Sequence, residues 1–313
     1  MNPDVPTVSV LIPTYNYAQF LPQAIDSALA QTVKPLEIVV ADDGSTDDTA
    51  AVAARYGGAV KYRRFDHVGV YAVRQAMLAE LRGDWFLNLD ADDWIDPDFL
   101  EQALAIVARS ARDASLAFVY PDVRRFGEIE DGRTFPDFSL AQLKRGNFLV
   151  MSSLIRLDAA RQAGFDEHFN DGQGDYDFYL TLAEKGFRGE RLPGGRMHVR
   201  VHADSISGVG RARFRHVELA DRILAKHAAL FSPAEARVLR RNARRGACQA
   251  MWRAAERLHA AGAHGAAAAL GARAIGRDWR QTSRKSAGLL CRALLAGGRR
   301  LLRGAAGAAN PQA

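Results

Sequence analysis

Four short apolar runs alternate with stretches of helical spacing across residues 8–89, and this alternation constrains the fold more than any other feature of the chain. Val8-Ser9-Val10-Leu11-Ile12 reads as a buried strand closed by Pro13, and Leu36 to Ala41, Val60 to Arg64 and Trp85 to Leu89 read as three more. Between the first two, Phe20, Ala24, Ile25, Ala28 and Leu29 recur at helical spacing within Phe20 to Gln31. Thr46 to Tyr56 reads as a second helix, with Asp47 and Asp48 favourable in its first turn. Val70 to Leu81 reads as a third, ended by Gly83. Strands and helices in such alternation predict a parallel α/β sheet, whose ligands sit at the C-terminal ends of the strands. Three of the strands end in polar or turn clusters, Pro13-Thr14-Tyr15-Asn16, Asp42-Asp43-Gly44-Ser45 and Asp90-Ala91-Asp92-Asp93, and all three are expected to line one crevice.

The last cluster carries the most chemistry. Carboxylates packed this closely repel one another unless a cation sits among them. Their oxygens are hard ligands that suit Mg²⁺ or Mn²⁺, ions that bridge protein carboxylates to substrate phosphates. The same residues also read as an acidic turn ahead of a helix, since Asp96-Pro97-Asp98 looks like a helix start. The first strand is not followed by G-x-G-x-x-G, which disfavours a dinucleotide-binding domain, and the chain holds no G-x-x-x-x-G-K-[ST] phosphate loop.

Beyond residue 115 the pattern loosens. Leu116 to Tyr120 reads as a strand, 127–137 as a polar loop, Leu157 to Gly164 and Tyr176 to Lys185 as helices, and Val199 to His202 as a last strand. From about Arg211 the chain reads as helices rich in Ala and Arg, one starting at Pro233 and others interrupted by glycines at 262, 265, 271 and 276. Charge divides at the same place. Residues 1–210 carry 21 Lys+Arg against 31 Asp+Glu, and residues 211–313 carry 21 against 5. The expectation is an acidic working domain, 1–210, and a basic helical extension, 211–313, that meets membrane headgroups, nucleic acid or an acidic protein. Aromatic residues are sparse in the extension (Phe214, Phe231, Trp252, Trp279) and no nucleic-acid motif occurs, so nucleic acid is not expected. Within Ser286 to Arg303, Leu290, Leu294 and Leu301 share one helical stripe beside Leu295 and Leu302, with Arg292, Arg299 and Arg303 toward the other side. Such a helix lies at an anionic interface or packs on the protein's own core.

At 48% hydrophobic and 25% charged residues the composition is that of a soluble globular protein. Cys248 and Cys291 lack metal-like spacing, which fits a reducing compartment. Met1-Asn2-Pro3-Asp4 lacks the shape of a signal peptide, and no stretch of about 20 apolar residues is present. A cytoplasmic protein, peripheral on the inner face of the membrane, is the expectation.

Val8 to Asn16, Asp42-Asp43-Gly44-Ser45-Thr46-Asp47 and Leu89-Asp90-Ala91-Asp92-Asp93, in that order and spacing, resemble the three signatures of family 2 glycosyltransferases of the GT-A fold. His67 to Gln75 is similar to the family's glycine loop and following helix start, with Gln75 where Asn is commoner. Ala163 to Glu167, Asp175 to Leu180 and Val199 to Ser207 extend the resemblance, which covers about residues 6–210. It implies a mostly parallel central sheet flanked by helices, followed here by a helical extension. It also implies an inverting transfer of one sugar from a nucleotide-sugar to an acceptor hydroxyl on a saccharide or lipid-linked molecule, in surface polysaccharide or glycolipid assembly. By the resemblance Pro13 and Tyr15 contact the base, with Asn16 beside them, and Tyr15 otherwise packs at the strand end. Asp43 accepts a hydrogen bond from the base with Asp42 near it, while Ser45 or Thr46 caps the next helix. Arg74 reaches a phosphate or lies exposed on its helix. Asp90 and Asp92 form an Asp-x-Asp motif, with Asp92 on Mn²⁺ or Mg²⁺, Asp93 on ribose, metal or acceptor, and His202 completing the metal or diphosphate site. Asp175 is the base that takes the acceptor's proton, or else the N-cap of the helix from Tyr176; Asp171 and Asp177 are the fallbacks. Gly174 stands where the family usually has an acid. Asp122 to Asn147 shapes the acceptor pocket. A nucleotidyltransferase and a non-catalytic nucleotide-sugar binder remain as alternatives.

Overall fold

The structure is a computed structural model that describes residues 6–202, 214–277, 288–289 and 291–296. It divides into two compact units, Met1–Ser205 and Ile206–Ala313.

The first unit is built on one sheet. Strand β1 (Val8–Thr14) is buried along its whole length, as its run of Val, Leu and Ile requires, and it pairs in parallel with β2 (Glu37–Asp42) and β4 (Trp85–Asn88). β3 (Lys61–Arg64) adds to β2, also in parallel. The strand order β3-β2-β1-β4 then continues through β8 (Leu154–Arg156), β6 (Leu116–Gly127), β9 (Arg188–Val201) and β5 (Trp94–Ile95), with β7 (Asp131–Arg133) on β6. β8 runs antiparallel to both its neighbours, whereas β6 and β9 are parallel to each other. The sheet is therefore mixed, parallel through β3-β2-β1-β4 and again between β6 and β9. The stretch 127–137, expected as a loop, contains β7, which its pairing with Val123 to Arg125 stabilises.

Helices α1 (Leu21–Leu29), α2 (Thr49–Ala54), α3 (Val70–Glu80) and α4 (Phe99–Arg109) connect these strands. α1 turns Leu21, Ala24, Ile25 and Ala28 into the core, and each large apolar side chain so buried stabilises the fold by roughly 1.5–3 kcal/mol. α2 starts at Thr49 rather than Thr46. Ser45 and Thr46 hydrogen-bond to Asp42 and Asn16 instead of capping it. The buried Gln31 side chain donates to the Asp96 carbonyl at 2.8 Å and accepts from Leu100 N at 2.9 Å. It thereby ties the end of α1 to the start of α4. Short α5 (Leu140–Leu143), α6 (Leu157–Ala163) and α7 (Gly174–Glu184) complete the unit.

The second unit holds α8 (His216–Lys226), α9 (Pro233–Ala260) and α10 (His264–Arg277). α9 begins with a full capping box, in which Ser232 and Glu235 exchange hydrogen bonds, and with Pro233 in its first turn. Gly262, at φ +78°, makes the turn to α10. Glycines 265, 271 and 276 lie inside α10 and do not interrupt it, because the surrounding alanines favour helix. Cys248, Met251, Trp252, Ala255, Ala274 and Leu289 form an apolar cluster with Phe214 against it. Leu294 and Leu295 are 58% and 65% exposed, and Leu290, Leu301 and Leu302 lie outside the described residues. No described helix is long and apolar enough to cross a membrane.

Candidate active site

Because β2, β1 and β4 are parallel, their C-terminal ends share one edge, with Thr14 opposite Asp42 and Asn88 opposite Leu11. Pro13 is buried in β1 across from Ala41. Tyr15, at the rim, is 40% exposed and stacks on the His67 ring at 4.2 Å between centroids. Asn16 adopts a left-handed φ of 55°, accepts from Thr46 N at 2.7 Å and donates its own N–H to Ser45 Oγ at 2.8 Å. That stitches the β1 and β2 loops together.

The adjacent aspartates differ. Asp42 is fully buried and accepts from Ser45 N and Oγ, from the Tyr62 hydroxyl and from Arg64 Nη1. This carboxylate braces β2, β3 and the Ser45 turn. Asp43 accepts from Val68 N at 2.7 Å and Gly69 N at 3.0 Å, and so sets the 67–69 loop. Gly69 has φ +95°, and a Cβ there would meet Asn170 Nδ2 at 2.3 Å, so only glycine fits.

Arg74 on α3 is 4% exposed, which rules out the exposed position its helix pattern allowed. Its Nε donates to Asn88 Oδ1 at 2.9 Å and its Nη2 to Asp90 Oδ1 at 2.7 Å, leaving Nη1 without a protein partner among the described residues. Asp92 Oδ2 lies 2.9 Å from His202 Nε2. Asp93 is 4% exposed and accepts from Arg200 N at 2.9 Å. Burial and the Asp90 charge raise the Asp92 carboxyl against the His202 hydrogen bond. Burial, then Asp92 and Asp90, push Asp93 well above the usual carboxylate range. Arg74 on Asp90 and Arg200 near Asp93 bring positive charge to this set but do not outweigh the burial and crowding of Asp93. Among the described residues no group of three or more His, Cys, Asp and Glu forms a closed metal cage. A hard divalent ion sharing substrate phosphate needs only one or two protein ligands, and Asp92 with His202, now joined by a proton, fits that need.

Asp175 stands in the first turn of α7, whose N-cap position is Gln173, so Asp175 is not the cap. Its Oδ2 accepts from Asn147 Nδ2 at 2.8 Å and its Oδ1 from Tyr176 N at 2.8 Å. Burial raises this carboxyl, the Tyr176 N–H and nearby Arg74 lower it, and nearby Asp90 raises it. Asp175, Arg74 and Asp90 therefore form one electrostatic group. Of the fallbacks, Asp177 is 1% exposed within α7.

Two further residues, Arg200 and His67, carry no role in the sequence pattern and join the site only in the fold. The Arg200 guanidinium lies 4.5 Å from both the Phe20 and Phe126 ring centroids and donates to the Asp92 carbonyl at 3.1 Å. Its position next but one to His202 was the only signal that it faces the acidic turn. Ser205 and Ser207 lie outside the described residues.

Residues 9–167 match the sequence model described as glycosyl transferase family 2. A chondroitin synthase of Escherichia coli is 32% identical over 192 residues, covering 58% of this chain and 27% of the synthase. The chain thus spans about a quarter or less of the curated synthases it matches. Two solved structures share the fold. The mannosyltransferase PcManGT from Pyrobaculum calidifontis, in complex with GDP-Man and Mn²⁺, has a TM-score of 0.59 at 20% identity, over 95% of this chain and 80% of that one. S. aureus TarS 1-349 with UDP-GlcNAc has a TM-score of 0.56 at 17% identity, over 78% and 81%. Both have the GT-A arrangement.

Proposed function

This chain belongs to glycosyl transferase family 2, and from that premise we propose that it is an inverting glycosyltransferase that moves one sugar from a nucleotide-sugar to an acceptor hydroxyl, in surface polysaccharide or glycolipid assembly. The observation that carries the reading is the single electrostatic group of Asp175, Arg74 and Asp90 beside the Asp92–His202 pair. In this reading Asp175 is the base, Arg74 the cation, and Asp90, Asp92 and Asp93 the acids on the diphosphate side.

In this reading the base of the nucleotide stacks on the open face of Tyr15, whose other face rests on His67. Pro13 and Asn16 shape that rim, and Asp43 accepts from the base while Asp42 keeps the β2 edge in place. Arg74 offers Nη1 to a phosphate oxygen. Asp92 and His202 hold Mn²⁺ or Mg²⁺, with Asp93 behind them fixed by Arg200 N. When bound, that ion supplies positive charge to the leaving diphosphate. Asp175 takes the proton of the acceptor hydroxyl as its oxygen bonds to the anomeric carbon. The bond from that carbon to the diphosphate oxygen breaks on the opposite face, and its electron pair leaves with the nucleoside diphosphate.

Incubation with a panel of nucleotide-sugars and Mn²⁺ tests this. Metal-dependent nucleoside diphosphate release is expected, whereas pyrophosphate release shows a nucleotidyltransferase instead. Asp92→Asn should lower transfer by about two orders of magnitude or more. Near-normal rates in that variant, or in chelator, would remove the metal role.

The second unit belongs to the same proposal as the part that meets an anionic membrane surface from the cytoplasmic side. Exposed Leu294 and Leu295, and the exposed Arg237, Arg241 and Arg244 of α9, support it.

A further inference from the structure

We infer that Tyr71 is a positioning residue for Asp175, fitted to it by the absence of a side chain at Gly174; the inference rests on the transfer reading above. A Cβ built at Gly174 would lie 2.4 Å from Tyr71 Cε2 and Cζ, closer than real carbon atoms approach. The space that a side chain at 174 would take is therefore filled by the Tyr71 ring. This explains the departure at Gly174 as an exchange of volume between α3 and α7. Ring and glycine together form one wedge that sets the distance between those helices.

The wedge reaches both charged groups of the site. The Tyr71 hydroxyl oxygen accepts the Asp175 N–H at 3.0 Å, across 104 residues of chain. Its ring lies under the Arg74 guanidinium, 5.0 Å from centroid to carbon, and Phe165 packs against it at 6.2 Å. The backbone N–H of Tyr71 donates to Asn170 Oδ1 at 2.8 Å, so the residue is held at its root as well as its tip. Tyr71 is 7% exposed. Burial, with the Asp175 and Asp90 charges close by, pushes its phenol above the ordinary value, so it keeps its proton at neutral pH. That O–H has no protein acceptor among the described residues, while its lone pair is engaged by the first turn of α7. A phenylalanine here would fill the same volume and leave the half-buried Asp175 N–H without this acceptor. Asp175 would then keep its carboxylate contacts to Asn147 and Tyr176 N but lose the anchor of its backbone, and with it part of the hold on the line along which it takes a proton. Misplacement of a catalytic group by about 1 Å costs up to about a hundredfold in rate.

The experiment separates packing from positioning. Gly174→Ala should lower the melting temperature, and Tyr71→Ala in the same chain should recover part of the loss, because the two side chains compete for one space. Tyr71→Phe should melt within a few degrees of the native chain and bind the donor identified by the panel with unchanged affinity by calorimetry. Its kcat for transfer should fall by about ten- to a hundredfold. Adding Tyr71→Phe to Asp175→Asn should cost nothing further, since the phenol acts through that carboxylate. An active native chain with unchanged kcat in Tyr71→Phe, or with additive losses in the double variant, overturns this inference alone. Gly174→Ala without thermal cost overturns the packing exchange. A native chain inactive on every donor overturns the transfer reading, and this inference with it.

Discussion

Asp93 carries the most strongly opposed charge of the site. It is 4% exposed, and burial beside Asp92 and Asp90 makes its carboxyl hold a proton far more readily than usual. An acid whose folded value is raised adds stability as pH falls through that value and withdraws it as pH rises. Asp93→Asn keeps an oxygen for the Arg200 N–H and removes the charge. At neutral pH in chelator this variant should melt higher, by about 2–4 °C, while transfer falls. Differential scanning calorimetry decides: a lower melting temperature means that the Arg200 contact needs the full charge. Mn²⁺ should raise the melting temperature of the native chain and not that of Asp92→Asn. The acids were legible in the sequence because crowding of like charge is a local property. The engagement of Asp42 and the Arg200 contacts were not, because each depends on residues brought together only by strand pairing. For the same reason Arg74 reads from the sequence equally as a phosphate contact or as an exposed helix residue. Its partners Asn88 and Asp90 lie on a different strand and loop.

At the scale of elements, Glu37 locks the start of β2. Burial alone would raise its carboxyl, but hydrogen bonds from Lys61, Ser9 and Arg82 outweigh that and lower it to about 2. It therefore joins β3, β1 and the end of α3 to β2. A lowered carboxyl stabilises at neutral pH and loses that contribution as pH falls from its ordinary 4.5 through about 2. The shift corresponds to roughly 3 kcal/mol. Glu37→Gln should flatten the loss of stability over that window in urea titrations, and an unchanged profile would show that the lock does not hold β2. Long elements with a clear pattern were legible, including β1, α1 and α3, and of α4 only the start, at Asp96-Pro97-Asp98. β5, β7 and β8 were not, since strands of two or three residues carry no alternation. β6 reads through Pro121 to Gly127 because register shifts against β9 absorb the proline. In α10 the pattern misled in the other direction, since single glycines among alanines cost less than the helix gains.

Across the whole molecule, the excess of base lies in residues 211–313 and the excess of acid before them. Arginines near an anionic surface contribute roughly 1 kcal/mol each, and salt screens them. The full chain should sediment with anionic liposomes at low ionic strength and be released as salt rises, while a chain ended before Ser286 should bind less. Equal binding by both would remove this role from the segment that starts at Ser286, and no binding by the full chain at low salt would remove it altogether. The acidic turn and the strand that serves it have a different consequence. Asp92 and Asp93 meet Arg200 and His202, and the residues of these bonds stand 107 to 110 positions apart. A recombination breakpoint between them separates the acids from the strand that orders them. Chimeras that exchange the donor half of this chain with a relative's should recover only when residues 196–202 travel with the turn. Laboratory shuffling of the region should return parental pairs there far more often than mixed ones.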